Sequence, residues 1–304
     1  MKKHIFIDCL TQSIASILIG KKRFFSNSTD SLAIRDILDK IEIEPTPIET
    51  GQHEIKASTP HGVIDPAYYV FQMKGKDFPT IIYHHGNNER PFDFRKYSKN
   101  SFKEIFLKKV HSIDANIIIL RAPFHNSSLR DYQEKIGRMA NFTAMLATST
   151  VLVESITNQL KNESFNQPVI ISGISLGGWI TNLHRTYFNT ADIYIPMLAG
   201  AALDELFISS AYRKMTSKTC RKNPEKITST LNFEEEFRKV SDNNVFPILG
   251  KYDQYIRYDR QKKSYHDSTT IHTLNKGHVT TLLEAPEQLL NHILTVMNLK
   301  NASL

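Results

Sequence analysis

The chain has 304 residues, 40% of them hydrophobic and 23% charged, with a formal net charge of +7. That balance excludes an intrinsically disordered chain, a collagen-like repeat and a disulfide-stapled miniprotein. A chain this long buries most of the surface it exposes when unfolded, so one large domain is feasible, although length alone also allows two; a single domain over residues 1–304 is the expectation. Cys9 and Cys220 are too far apart in sequence for a metal or redox motif, and fit thiols of a reducing, cytoplasmic compartment.

The positive charge is local. Residues 1–23 carry Lys2, Lys3, Lys21, Lys22 and Arg23 against Asp8. Residues 213–226 carry Arg213, Lys214, Lys218, Arg221, Lys222 and Lys226 against Glu225, and the remaining chain is slightly acidic. Two short basic runs without a recognition motif argue against a nucleic-acid partner.

At the N-terminus, Ile5 to Gly20 is interrupted by Asp8, Thr11 and Gln12. Its apolar run is too short for a signal sequence or a membrane span. Ile7, Leu10, Ile14, Ile17 and Leu18 recur at helical spacing, which predicts an amphipathic helix lying on the body of the protein. Interfacial attachment through this helix and Lys21-Lys22-Arg23 is the lesser alternative, and no stable membrane insertion is expected. A second helix over Ser31 to Ile41 is ended by Pro45 and Pro47, which makes 1–45 an N-terminal helical extension.

Extended stretches follow near 54–57 and 68–73. From residue 78 the pattern becomes α/β. Phe78–Tyr83, Asn116–Leu120, Val169–Ser172, Ile193–Met197, Val245–Leu249 and Thr270–Leu274 are short apolar, β-branched runs. Helical segments at 101–110, 131–160, 178–188 and 279–299 separate them. Such strands suit a mostly parallel sheet covered on both faces. About 45 residues between the strands ending near Gly200 and starting at Val245 read as an insertion, at about 201–243, that caps a site.

The chemistry concentrates in four glycine-containing loops. Gly173-Ile174-Ser175-Leu176-Gly177-Gly178 lies between a predicted strand and a predicted helix. A serine hydroxyl becomes a useful nucleophile when a sharp turn exposes it beside a base and oxyanion donors. Upstream, a strand runs into His84-His85-Gly86-Asn87. Downstream, Gly250-Lys251-Tyr252-Asp253 follows a strand, and Asn275-Lys276-Gly277-His278 follows the last one. Six of the 12 glycines fall in these loops. Adjacent histidines on a strand end point in opposite directions, which argues against a metal pair. No phosphate loop or dinucleotide fingerprint is present, so no cofactor is implied.

These motifs resemble those of the α/β-hydrolase family, over most of residues 55–300 and in the family's order of nucleophile, acid and histidine. The resemblance implies an α/β-hydrolase fold with Ser175 as nucleophile, Asp253 as acid and His278 as base. It implies that the backbone N–H groups of Asn87 and Leu176 form the oxyanion hole. Arg257 stands where the family often has proline after the acid loop. Asp204 and Glu205 are competing acids, since they follow the strand ending at Met197. His85, Gly86, Leu206 and Phe207 are expected to contact substrate. The expected activity is hydrolysis of a small or medium acyl ester through an acyl-serine. Acyl transfer, thioester hydrolysis and peptide hydrolysis use the same residues, and a non-catalytic binding protein is the reading from another class.

Overall fold

Apolar, β-branched runs build the sheet, and their order in space decides which loops meet. In the computed structural model, which describes residues 1–44 and 46–301, eight strands form one sheet. They are β1 (Gly51–Glu54), β2 (Ala67–Gln72), β3 (Thr80–His84), β4 (Asn116–Arg121), β5 (Val169–Ile174), β6 (Ile193–Met197), β7 (Ile248–Gly250) and β8 (His272–Leu274). The spatial order is β8-β7-β6-β5-β3-β4-β2-β1. β2 runs antiparallel to β1 and β4, and the pairs from β4 through β8 are all parallel. β3, β4, β5 and β6 are buried along their whole length, as expected for strands covered on both faces. The loops leaving β3, β5, β7 and β8 therefore open at the same edge of the sheet.

The main helices are α1 (Lys2–Leu18), α2 (Met139–Asn162), α3 (Leu176–Tyr187), α4 (His278–Glu284) and α5 (Pro286–Asn301). α2 is long and apolar enough to cross a membrane. Its apolar window is 72% buried against the rest of the chain, which makes it a core helix here. α3 packs on β5 and β6 and touches α2.

Several boundaries differ from the sequence expectation for identifiable reasons. The extended stretch at 54–57 splits between β1 and a small three-stranded sheet containing Ala57–Thr59. The single helix expected at 131–160 is two, Leu129–Ile136 and α2. At the break, Phe25 and Asn27 donate N–H bonds to the carbonyls of Ile136 and Gly137, and Met139 donates to Ser28. The N-terminal segment thus takes the groups a continuous helix would use. The last helix is divided at Ala285, because Pro286 has no N–H to continue α4. The helix expected at 31–41 shrinks to Ile34–Leu38.

The turn between β2 and β3 hangs on one side chain. Asn116 Oδ1 accepts N–H bonds from Lys74 (2.7 Å) and Gly75 (3.1 Å), while Nδ2 donates to the carbonyls of Gly75 (2.9 Å) and Phe78 (3.2 Å). Asn116→Ala strands these groups in a largely buried position. It should lower stability by about 1–3 kcal/mol in urea unfolding, and a wild-type midpoint would contradict this.

Candidate active site

The turn after β5 is forced. Ser175 has φ +55° and ψ −107°, a conformation that a side chain rarely adopts, between the end of β5 and the first residue of α3. The turn needs bare backbone around it. A Cβ on Gly173 would lie 2.5 Å from the Gly177 carbonyl carbon, one on Gly178 would lie 2.6 Å from the Met197 carbonyl oxygen, and one on Gly177 would overlap the His84 carbonyl. The Ser175 N–H is anchored to the Met197 carbonyl at 2.9 Å. Leu176 opens α3, so its N–H is one of the donors a helix start leaves without an internal acceptor.

The loop after β3 is held from behind. Glu89 is buried and accepts hydrogen bonds from the Ser101 N–H (2.7 Å) and hydroxyl (2.6 Å). A Cβ on Gly86 would lie 2.5 Å from Glu89 Oε1, so a larger residue there would displace the Glu89 carboxyl. Burial raises the Glu89 carboxyl above its ordinary pKa despite those bonds. The Asn87 side chain is clamped: Nδ2 donates to the Tyr212 hydroxyl at 3.2 Å, and Oδ1 accepts from the Tyr132 hydroxyl. The Asn88 N–H donates to His125 Nε2 at 3.2 Å.

The loops after β7 and β8 meet. His278 Nδ1 and Asp253 Oδ2 are 2.8 Å apart, and Asp253 Oδ1 accepts N–H bonds from Tyr255 and Ile256, both at 2.8 Å. The Asp253 side chain is fully buried, whereas His278 keeps 16% of its side chain exposed. Burial pulls the His278 pKa down. The Asp253 charge and hydrogen bond, together with the Asp8 charge, outweigh that pull against Lys99 and leave it above its ordinary value. Ser175 and His278 line one cavity of about 720 Å³, with Gly86, Asn87 and Leu176. Among the described residues no hydrogen bond joins the Ser175 hydroxyl to the His278 ring, a contact that often tightens only with substrate bound.

The insertion at about 201–243 folds into short helices, including Asp204–Ile208 and Pro224–Leu231. Leu203, Leu206, Phe207, Tyr212 and Met215 line the cavity. None of the basic residues at 213–226 lines it among the described residues. Asp204 is turned away, its oxygens accepting from Thr228 and Asn232 at 2.8 Å each. Glu205 pairs with Arg257 at 3.2 Å. Neither is bonded to His278.

His85 is placed differently from the expectation of a substrate contact. It lies outside the cavity lining and is fully buried, with Nε2 accepting the Ala122 N–H at 3.0 Å and Nδ1 donating to the Gly86 carbonyl at 2.6 Å. His84 and His125 flank its ring, and burial lowers their pKa values to about 3 and about 4. These neutral rings brace the loop. Among the described residues no group of three His, Cys, Asp or Glu side chains is placed to hold a metal.

One residue at the site escaped sequence reasoning. Asp8, on α1, is fully buried beside the His278–Asp253 pair. Its Oδ2 accepts the N–H groups of His278 (2.8 Å) and Gln254 (3.1 Å), and Oδ1 accepts that of Val279 (3.0 Å). It thereby caps the start of α4 and ties the acid loop to the histidine loop. A Cβ on Gly277 would meet Asp8 at 2.8 Å. Burial, then the nearby Asp253 charge, raise the Asp8 carboxyl above its ordinary pKa. The available signal was its polarity within an apolar helical stretch.

No family model matches the chain, and no curated protein matches it. Solved structures do. Est1E from Butyrivibrio proteoclasticus, with ferulic acid bound, matches with a TM-score of 0.56 at 15% identity, over 77% of this chain and 96% of that one. Acetyl xylan esterase 1 from Thermoanaerobacterium sp. matches with a TM-score of 0.54 at 12% identity, over 86% and 90%. The acylaminoacyl peptidase of Pyrococcus horikoshii matches with a TM-score of 0.55 at 15% identity, and there this chain spans only 41% of the larger protein. The chain has the α/β-hydrolase fold, a mostly parallel eight-stranded sheet flanked by helices.

Asp8→Asn tests the cap. Removing an anion that faces the ring withdraws support from its charged form, so the His278 pKa falls and the acidic limb of a kcat/KM–pH profile moves to lower pH. The amide also turns an N–H toward one of three backbone donors, which should cost about 1–3 kcal/mol of stability. An unmoved limb would contradict this placement. Gly177→Ala should destabilise the turn measurably in thermal unfolding, since the atom it must clear is backbone.

Proposed function

We propose that this chain is a serine hydrolase acting on carboxylic esters through an acyl-serine intermediate. The observation that carries the proposal is the convergence, on one apolar cavity, of a strained serine at a helix start and a histidine hydrogen-bonded to a buried aspartate. His278 Nε2 takes the Ser175 proton as Oγ forms its bond to the substrate carbonyl carbon. The N–H groups of Leu176 and Asn87 hold the resulting oxyanion, a contribution of about 3–4 kcal/mol for one such donor. Collapse breaks the ester C–O bond, and the leaving alcohol takes its proton from His278. Water then repeats the sequence, releasing the acid and restoring Ser175. Asp253 keeps Nδ1 protonated and stabilises the imidazolium in both halves.

Leu203, Leu206, Phe207 and Met215 give the acyl side of the cavity an apolar wall, which supports an aliphatic acyl group. Its volume of about 720 Å³ suits a medium-sized acyl ester. Transfer to another alcohol or amine, or attack on a thioester or amide, would use the same residues. Acyl esters offered with and without an added alcohol separate hydrolysis from transfer by product analysis. The free thiols of Cys9 and Cys220 fit a reducing compartment, in line with the cytoplasm as the proposed location.

Ser175→Ala and His278→Ala should each lower kcat on p-nitrophenyl esters by on the order of 10⁴-fold or more, and the double variant little further, because such residues act as a unit. Asp253→Asn should lower kcat strongly with little change in KM, while Asp204→Asn leaves kcat near wild type. Additive losses, or a larger effect at Asp204, would overturn the assignment. Phe207→Ala should shift the preferred acyl length upward in a graded ester series.

A further inference from the structure

α1 turns polar side chains toward the protein, beside Ala15, which packs on the core: His4 Nδ1 is 2.9 Å from Thr280 Oγ1, Asp8 is fully buried, Gln12 is buried, and Lys214 reaches Ser13 Oγ at 3.1 Å. Phe6, Leu10, Ile14 and Ile17, expected in part to pack on the body, face outward, with Ile17 77% exposed. At 100° per residue those four fall within an arc of about 80°. An apolar stripe turned to water is costly, and a surface helix ordinarily buries it.

What the stripe continues into identifies its occupant. Leu18 (80% exposed), Leu283 (71%) and Leu129 (52%) carry the apolar surface to the mouth of the cavity that holds Ser175 and His278. Lys22, Lys99 and Arg130 line the same cavity, and of these Lys22 lies 3.7 Å from Glu134. Lys2 and Lys3 stand at one end of the stripe and Lys21 at the other. Lys3 pairs with Glu284, whereas Lys2 and Lys21 form no ion pair among the described residues. Two copies joined through this stripe, parallel or antiparallel, would set lysines against lysines. An anionic bilayer instead takes up both the apolar side chains and the cations.

We propose that α1 docks this protein, without insertion of a span, on the surface of an anionic phospholipid bilayer, with the cavity mouth opening onto the lipid. The docking step stands on the exposed face alone. That the lipid phase delivers an acyl ester to Ser175 rests on the proposed hydrolase activity.

The test separates the two. Binding is read with the full chain carrying Ser175→Ala, by co-sedimentation with phosphatidylcholine vesicles containing about 30 mol% phosphatidylglycerol or none. The chain should bind the anionic vesicles at least about tenfold more tightly, and lose that advantage at high salt. Combined Phe6→Ser, Ile14→Ser and Ile17→Ser should weaken binding at least about tenfold. In the Ser175 background those three substitutions should leave kcat/KM for a dissolved short-chain ester within about twofold of wild type. If that variant fails to fold, Lys2→Glu with Lys21→Glu makes the same test through charge alone, with the same expected loss of anionic-vesicle binding. Absence of binding to either vesicle would overturn the proposal while leaving ester hydrolysis, measured separately, to stand or fall alone. Unchanged binding by the substituted chains would overturn it too. So would a wild-type dimer in sedimentation that the serine substitutions convert to monomer, because a second copy would then cover the face.

Discussion

The closeness of backbone around Ser175 constrains everything else at the site. Gly177 lies so near the His84 carbonyl that a single methyl group has no room, Gly173 meets the Gly177 backbone within the same turn, and Gly178 meets the Met197 carbonyl at the end of β6. That contact joins the end of β3 to the start of α3. One steric requirement therefore sets the serine in its left-handed conformation, places the start of the helix at the cavity and fixes the loop after β3 beside it. The neighbouring layers serve it: buried neutral histidines brace the loop after β3, and Glu89 takes up the N–H and hydroxyl of Ser101 behind it.

His278 is secured by a different device. Asp253 holds its ring from one side, while Asp8, from the far end of the sequence, holds its backbone from another. Two carboxylates near one imidazole raise its pKa, and three backbone N–H groups compensate the second charge. With Asp8 turned inward, Phe6, Leu10, Ile14 and Ile17 lie on the opposite face of α1. The polar cap and the exposed apolar stripe are two consequences of one helix orientation.

The sheet was legible in the sequence because parallel strands buried on both faces are written as continuous apolar runs, as in Val169–Ser172 and Asn116–Leu120. The meeting of the loops holding Ser175, Asp253 and His278 followed from strand order, since parallel strands open at one edge. Interactions between distant segments were not legible. The break at Gly137 depends on bonds from Phe25 and Asn27, and the role of Asp8 depends on loops some 250 residues away. Helical periodicity located α1 but assigned its faces by the usual rule, which the buried carboxylate reverses. His85 was misplaced because a motif cannot tell a side chain lining a cavity from one propping the loop behind it. The helix expected at 279–299 ran across Pro286, although the missing N–H of proline was a signal already present in the sequence.

The proposed acylation of Ser175 is open to direct covalent chemistry. The intact mass of the native protein after reaction with a fluorophosphonate, followed by peptide mapping, reports both the stoichiometry and the position of the adduct. One adduct per chain is expected, on Ser175, formed faster as His278 loses its proton. No adduct under conditions that label other serine hydrolases, or an adduct at any other residue, would contradict it.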